Sequence, residues 1–545
     1  MSATLMNQML GTTRVFLAVL FLGFFAMAAR NVADPDVWWH LKTGQYIAEH
    51  KSVPHTDPFS YTRAGQPWVT HEWLTELLLY QIERSTGWGG LILIFAAVLG
   101  AAFFLLYLRC DPAPYVAGVA TLGAAWATAP VWGVRPQVLS LLLTSLWLLI
   151  LERSERKPKL LWWTLPLTLL WVNLHAGFAL GLALSALFLA GEWIEHVLGF
   201  HPEQGAPSLR TAAFILLLDL LLVPLNPNGL RLFSYPIETL RSTAMQNYIA
   251  EWASPNFHHA ESWPFLLVVL GTFATLSWSC LEVRPRDILL LLVSLFAGLC
   301  SIRMMPLCVL IAVPLVSRRL GKWPRSSRPR RPPAASRTLL NGVIALAMAV
   351  FACVHIVQVI QRQPQSEMQG FPAGAVAFLQ THSPSGRIFN HYDWGGYLIW
   401  RLYPSTPVFI DGRADLYGQH LLDQFADTYQ FKGAWQQTLQ GWNIDTVLVP
   451  RDSALATGLR SSGWTVSYED AQAVVLTASP HAIRAEPASA TPPSQEPPGW
   501  DRAKAAPQLL SVCKKLHLLE HFAGYYELDH FRDKSPRSAV RVKRM

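Results

Sequence analysis

Charge is scarce in this chain: only 15% of its 545 residues are Asp, Glu, Lys or Arg. A typical soluble globular protein carries about a quarter, and a disordered one cannot combine so little charge with 51% hydrophobic residues, so both classes are excluded. Cysteine is sparse as well. Cys110, Cys280, Cys300, Cys308, Cys353 and Cys513 show no CxxC spacing, and most fall in or beside apolar runs, which supports neither a disulfide framework nor a zinc site. The chain has no Walker A or Rossmann glycine motif, which argues against nucleotide-sugar or ATP-driven chemistry. It has no internal repeat. The net charge is +8, but Lys and Arg are gathered in short patches between apolar blocks. That is the pattern of membrane topology signals, not of a nucleic-acid footprint.

The hydrophobic residues come in blocks about 20 long, without amphipathic period. The first, Val15 to Ala29, reads as a retained helix, because it is one of many such blocks and not a lone signal-peptide core. Others lie near 90–108, 114–132, 137–151, 160–174, 177–197, 211–225, 264–281, 288–301, 304–317 and 339–360. They give about eleven spans, and the expected fold is a polytopic α-helical membrane protein. Short loops rich in Lys and Arg stay in the cytoplasm. With the N-terminus inside, the inner loops receive Arg109, the segment 152–159, Arg210, the segment 283–286 and the basic stretch from Arg318.

This arrangement predicts a transmembrane domain over 1–360 in the cytoplasmic membrane, with large outer loops at 31–88 and 226–263. A small soluble α/β domain is predicted outside the cytoplasm over 361–480. Its short β-type runs RIFNHYDWGGYLIW, PVFIDGRADLYG, NIDTVLVP and AVVLT are separated by helix-like stretches such as HLLDQFADTYQF. A Pro/Ala/Ser linker over 481–500 and a tail over 501–545 follow.

The first outer loop opens with NVADPDVWWHLKTGQYI, which places Asp34 and Asp36 at the membrane surface. A carboxylate there can serve as a general base toward an acceptor hydroxyl or amine, or ligate a divalent metal. The plainer reading has Asp34 capping the following helix and Asp36 solvated. In THEWLTELLLY, His71 and Glu72 begin a second amphipathic helix, where they can orient a donor phosphate, share a metal or simply cap the helix. Arg135 and Arg303 sit in short outer turns, and Arg63 and Lys42 in the first loop. Arginine binds phosphate in a planar fork, although snorkelling to headgroups would also place it there. Asn173 and His175 mark a helix break. Glu251, beside Trp252, is a second acid or metal partner, while Trp252 and Tyr248 fit either sugar stacking or an interfacial aromatic belt. Asp219, inside FILLLDLLLVP, carries an insertion cost of about 2.5–3.5 kcal/mol and should face a polar partner or an aqueous cavity.

Taken together, a first helix, an Asp-Pro-Asp opening a long outer loop with two amphipathic helices, many further helices and an outward C-terminal domain resemble the GT-C class of integral-membrane glycosyltransferases. The resemblance covers the first 360 residues as an architecture. It implies transfer of a sugar from a polyprenyl-phosphate-type carrier outside the cytoplasm, with Asp34 or Asp36 as catalytic base. The stretch NHYDWGGYLIWRLYPSTPVFIDGRADLYGQH is also similar to the Trp-Trp-Asp-Tyr-Gly region of the oligosaccharyltransferase catalytic subunit. Here Tyr392, Asp393, Trp394 and Gly395 stand in a different order and the tandem tryptophans are absent, so sequon recognition does not carry over. The alternative for this stretch is a tight strand-to-helix turn at Gly395 and Gly396, capped by Asp393. Asp411, Arg413 and Asp415 cluster after a buried strand.

The expected function is therefore transfer of a sugar from a lipid-linked donor to a glycan, lipid or protein acceptor, with membrane lipids as surroundings, no nucleic-acid partner and a divalent metal left open. The alternatives are a transporter or flippase of a lipid-linked saccharide and a non-catalytic membrane assembly protein. Polar groups concentrated on one face favour surface chemistry over a translocation path.

Overall fold

Apolar segments deprived of water must satisfy their own backbone groups, and each of the eleven blocks does so as a helix. The computed structural model of the chain describes residues 11–200, 207–278, 283–321, 334–384 and 386–478. The 481–500 linker and the 501–545 tail lie outside the described residues. In chain order the helices are α1 (Thr12–Ala28), α2 (Val37–His50), α3 (Trp73–Arg109), α4 (Pro114–Thr128), α5 (Pro136–Ser154), α6 (Thr164–Leu174), α7 (Phe178–Val197) and α8 (Leu209–Leu222). Two short helices follow, α9 (Arg231–Arg241) and α10 (Thr243–Tyr248), and then α11 (Trp263–Trp278), α12 (Pro285–Cys300), α13 (Met305–Leu320) and α14 (Ala334–Gly370).

Among the described residues, five helical stretches, in α3, α5, α7, α14 and around α11, are long and apolar enough to cross a membrane. The other blocks form shorter helices, from 11 residues in α6 to 17 in α1, less than the roughly 20 residues of a full crossing.

Two features depart from a simple alternation of loop and span. In α3 the amphipathic start and the apolar remainder are joined at a kink, where Gly87 takes φ 63°, a left-handed conformation that glycine adopts without steric cost. The helix α14 runs on through residue 360 to Gly370, so it passes directly into the α/β region. At the far end of α3, Arg109 pairs with Glu152 at 2.9 Å, and Arg318 reaches the other oxygen of Glu152 at 3.1 Å. Just past the end of α5, Glu155 takes Arg284 at 2.7 Å. Arg109, Arg284 and Arg318, from three segments read as inner-loop signals, thus pair with acids at the end of one helix, α5. Asp219 finds its partners inside the helices, accepting hydrogen bonds from Thr164 and Thr168 at 2.8 and 2.6 Å.

The α/β region comprises α15 (Ala373–Thr381), β1 (Arg387–Asn390), α16 (Gly395–Leu402), α17 (Ala414–Tyr429), α18 (Trp435–Gly441), β2 (Ile444–Pro450), α19 (Ala454–Ser461), β3 (Thr465–Glu469) and β4 (Ala473–Thr477). The sheet order is β1-β2-β4-β3, parallel only between β1 and β2. Phe389, Val447, Leu476, Leu421 and Leu455 share its core.

The run PVFIDGRADLYG does not add a strand to this sheet. The Asn390 side chain takes the backbone instead, accepting from Phe409 N at 2.9 Å and donating to Ile410 O at 2.8 Å. The second half of RIFNHYDWGGYLIW is the helix α16, and Asp393 is exposed and makes no cap hydrogen bond.

The first long loop is bound to this region along its length. Val408 bridges Ser60, with Tyr61 N donating to Val408 O at 3.1 Å and Val408 N to Phe59 O at 3.2 Å. Beneath it Arg413 donates to Asp57 at 2.8 Å and to both oxygens of Asp411 at 2.8 and 2.7 Å, and all three side chains are buried. From α2, the fully buried Trp38 meets Trp88, Phe371 and Tyr397 edge-on at 4.8–5.2 Å between ring centroids. Such pairs add about 0.5–1.5 kcal/mol each beyond area burial, so α2, α3 and α16 pack as one unit. α2 lies tightly against α3 because Gly44 has no side chain: a Cβ there would fall 2.0 Å from Glu76 O.

Candidate active site

The short connection from α1 to α2 is held by three hydrogen bonds before its acids are reached. Arg30 donates to Ala129 O at 2.7 Å. The buried amide of Gln363, on α14, accepts from Val32 N at 2.7 Å and donates to Val32 O at 3.0 Å. Asp34 Oδ1 then accepts from Asp36 N at 2.9 Å, and Asp36 Oδ1 accepts from Trp39 Nε1 at 3.0 Å. The N-cap position of α2 is Asp36, whose own side chain makes no cap bond to the helix. Asp34 therefore holds the backbone N–H at the start of α2, and the half-buried Asp36 faces Trp39.

Three further loops extend from Asp34 through Arg135. Arg135, immediately before α5, directs Nε to Asp34 and Nη1 to Glu251. Arg303, in the turn between α12 and α13, places Nη1 3.6 Å from the other Glu251 oxygen and its guanidinium over the Trp252 ring at 5.8 Å. Ser301 donates to Glu251 O at 2.9 Å and holds these two loops together. Asp34, Arg135, Glu251 and Arg303, distant in sequence, therefore form one alternating chain of two acids and two guanidinium groups.

Burial and the adjacent Asp34 push the Asp36 carboxyl up to about 8. Burial also raises Asp34, against the opposing pull of Arg135. Burial works against charge on Arg135, but Asp34 and Glu251 raise it above its ordinary value. Burial would raise Glu251 as well, yet Arg135 and Arg303 hold it below the usual range. Arg135 and Glu251 are held in their charged forms, and beside them the protonation of Asp36 lies near neutrality.

A second cluster adjoins the first. His71, Glu72 and His175 meet with Glu72 Oε2 3.6 Å from His71 Nε2 and 3.8 Å from His175 Nε2. On the other Glu72 oxygen, His40 Nδ1 lies at 3.7 Å, and it is 3.4 Å from Glu76 Oε1. Burial raises Glu72 to about 8 and lowers His71 to about 4. His71 stacks on Tyr235, whose hydroxyl donates to Asp415 at 3.1 Å, so α9 and α17 close this side.

Two triads here have donor atoms close enough to share a cation, His71–Glu72–His175 and His40–Glu72–Glu76. The first fits poorly. Gly177 N donates to His175 Nδ1 at 2.9 Å, so the neutral ring must carry its proton on Nε2 and present a donor, not a lone pair, to Glu72. The second fits better, since Glu76 Oε2 is buried with no hydrogen-bond partner and His40 turns Nδ1 to both glutamates.

The other residues singled out in the sequence lie apart from the ion chain. Arg63 donates to the Tyr417 carbonyl, Lys42 to Tyr403 O at 3.4 Å, and Asp393 is exposed on the α/β region. Sequence reasoning passed over His40 and Glu76. Their signal is the helical i, i+4 spacing, which puts His40 one turn beyond Asp36 and Glu76 one turn beyond Glu72.

No protein-family model matches the chain, and no curated protein matches it. Solved structures similar to the chain include two membrane proteins. One is ArnT from Cupriavidus metallidurans bound to undecaprenyl phosphate, 12% identical, with 87% of this chain and 99% of that one covered and a TM-score of 0.45. The other is the archaeal oligosaccharyltransferase AglB from Archaeoglobus fulgidus in complex with an inhibitory peptide and a dolichol-phosphate, 10% identical, with 80% and 69% covered and a TM-score of 0.47.

Proposed function

We propose that the chain is a GT-C-type glycosyltransferase that moves a sugar from a polyprenyl-phosphate-type carrier to an acceptor at the outer face of the cytoplasmic membrane. The observation that carries this reading is the Asp34–Arg135–Glu251–Arg303 chain with Asp36 beside it, which gathers anion-binding and proton-accepting groups in the loops at the ends of apolar helices. A lipid-linked phosphate is confined to that layer by its tail. Arg303, the more exposed and more loosely paired guanidinium, receives the phosphate, and Arg135 keeps Asp34 and Glu251 in register.

Asp36 is the general base, because a base works best when its proton affinity lies near the working pH. It takes the proton of the acceptor hydroxyl or amine as that atom bonds to the anomeric carbon. The bond from that carbon to the phosphate oxygen breaks, and the phosphate leaves with its charge neutralised by arginine. His71 and His175 hold Glu72 behind this centre. A divalent cation, where the reaction uses one, would be held by His40, Glu72 and Glu76 and would supply positive charge beside the ion chain.

The test is the mass of the lipid-linked saccharides that accumulate in cells lacking the protein. A singly glycosylated polyprenyl phosphate is expected. Accumulation confined to the inner leaflet would instead identify a flippase, and an unchanged lipid pool would remove the transfer reading.

A further inference from the structure

We propose that Gly412 is a positioning residue for Asp36, so that seating the α/β region against the Asp-Pro-Asp loop sets the geometry of the base; this rests on the reading of Asp36 given above. A Cβ at Gly412 would fall 1.8 Å from Asp36 Oδ1, 2.9 Å from its Cγ and 3.3 Å from Trp39 Nε1. The backbone at Gly412 does not take the positive φ that demands glycine, so the requirement is one of space. The oxygen that receives the Trp39 N–H is therefore enclosed between that donor and a bare stretch of backbone.

Gly412 cannot give way. Its neighbours are Asp411 and Arg413, joined to each other and to Asp57 in the fully buried clamp that binds the first loop. On the other side Gly396, in α16, makes a matching approach: its Cβ would lie 2.7 Å from Pro35 O and 3.3 Å from Trp39 Cδ1. The α/β region thus presents two surfaces without side chains to Pro35 and Asp36. The atom that an added methyl would displace is the end of the Asp36 side chain, so the structure assigns the cost of Gly412→Ala to the carboxylate itself.

The experiment uses full-length protein in proteoliposomes, with lipid-linked saccharide extracted from cells lacking the protein as donor and membranes of those cells as acceptor source. Gly412→Ala is expected to lower kcat about 10–100-fold, the scale of a misplacement near 1 Å, with the donor KM little changed. Gly441→Ala, whose Cβ meets nothing within 4 Å, should match the native protein. Because Gly412 acts through Asp36, Gly412→Ala combined with Asp36→Asn should fall no lower than Asp36→Asn alone, whereas a general structural defect would add to it.

Near-normal kcat in Gly412→Ala, or additive losses in the double variant, overturns the proposal while an impaired Asp36→Asn leaves the base reading standing. Full activity in Asp36→Asn removes both. Should Gly412→Ala fail to fold, Trp39→Phe removes the donor to the same oxygen without adding an atom. It should lower kcat about 10-fold, the scale of one hydrogen bond to a charged group, and again not add to Asp36→Asn; native kcat there overturns the proposal.

Discussion

Replacing Arg135 with Lys separates the worth of its charge from the worth of its planar fork. In the native protein Nε faces Asp34 and Nη1 faces Glu251, so one rigid group serves two acids whose side chains are only 11% and 15% exposed. A lysine ammonium is a single point and can sit on one of them. If it stays with Asp34, Glu251 keeps only Arg303, at 3.6 Å; if it moves to Glu251, Asp34 loses its ion-pair partner. One charge-assisted hydrogen bond is worth about 1.5–3 kcal/mol, which sets the expected loss of transfer rate at about 10–100-fold at about 1.4 kcal/mol per decade. Arg135→Ala leaves Asp34 without an ion-pair partner and Glu251 with Arg303 alone, a change of about 3–5 kcal/mol, and should reduce the melting midpoint as well as the rate. Since Arg135 opposes the upward pull of burial on Asp36, its loss should also move the rise of activity to higher pH. The assay is donor turnover in proteoliposomes from pH 6 to 9, beside thermal unfolding of the same preparations. A Lys variant with native rate, midpoint and pH profile would refute the bridging role and leave Arg135 as a general cation.

Four other outcomes are expected. Asp34→Asn with Asp36→Asn should insert and fold but lose about 10²–10⁴-fold in transfer, the usual contribution of a general base; native turnover would move the base elsewhere. Asp36 is held neutral in the fold to about pH 8, against about 3.9 when unfolded, so its contribution to stability is full below the unfolded value and is lost as pH rises through 8. The melting midpoint of Asp36→Asn should accordingly gain on the native protein between pH 5 and 8, and a constant difference would contradict the buried neutral acid. Arg413→Met leaves Asp57 and Asp411 buried without a counter-charge, which should cost about 3–5 kcal/mol and make the α/β region sensitive to protease; native resistance would show that the clamp is dispensable. Cysteines at the exposed positions Gln66 and Asp452 should react with a membrane-impermeant thiol reagent in intact cells, and labelling only after lysis would reverse the orientation.

The sequence by itself determined which segments are helical. That information is local: an apolar block has to satisfy its own backbone groups, and the eleven blocks from Val15 to residue 360 do so wherever their neighbours lie. It also marked Asp34, Arg135, Glu251 and Arg303 as charges at the ends of apolar helices, because such charges stand out against so little charge elsewhere. Their pairing was not legible. Arg63 and Arg135 look alike in the sequence, yet one donates to a carbonyl under the α/β region and the other joins two acids, since only the packing of α5 against the loops at 31–36 and 249–253 decides what a guanidinium reaches. PVFIDGRADLYG carries a strand-like pattern, but the Asn390 amide occupies the backbone that a strand partner would have used. Least legible of all was Gly412. Its part in the site is the room it leaves for Asp36 Oδ1, and the absence of a side chain acquires meaning only when folding brings another group to the place where one would have been.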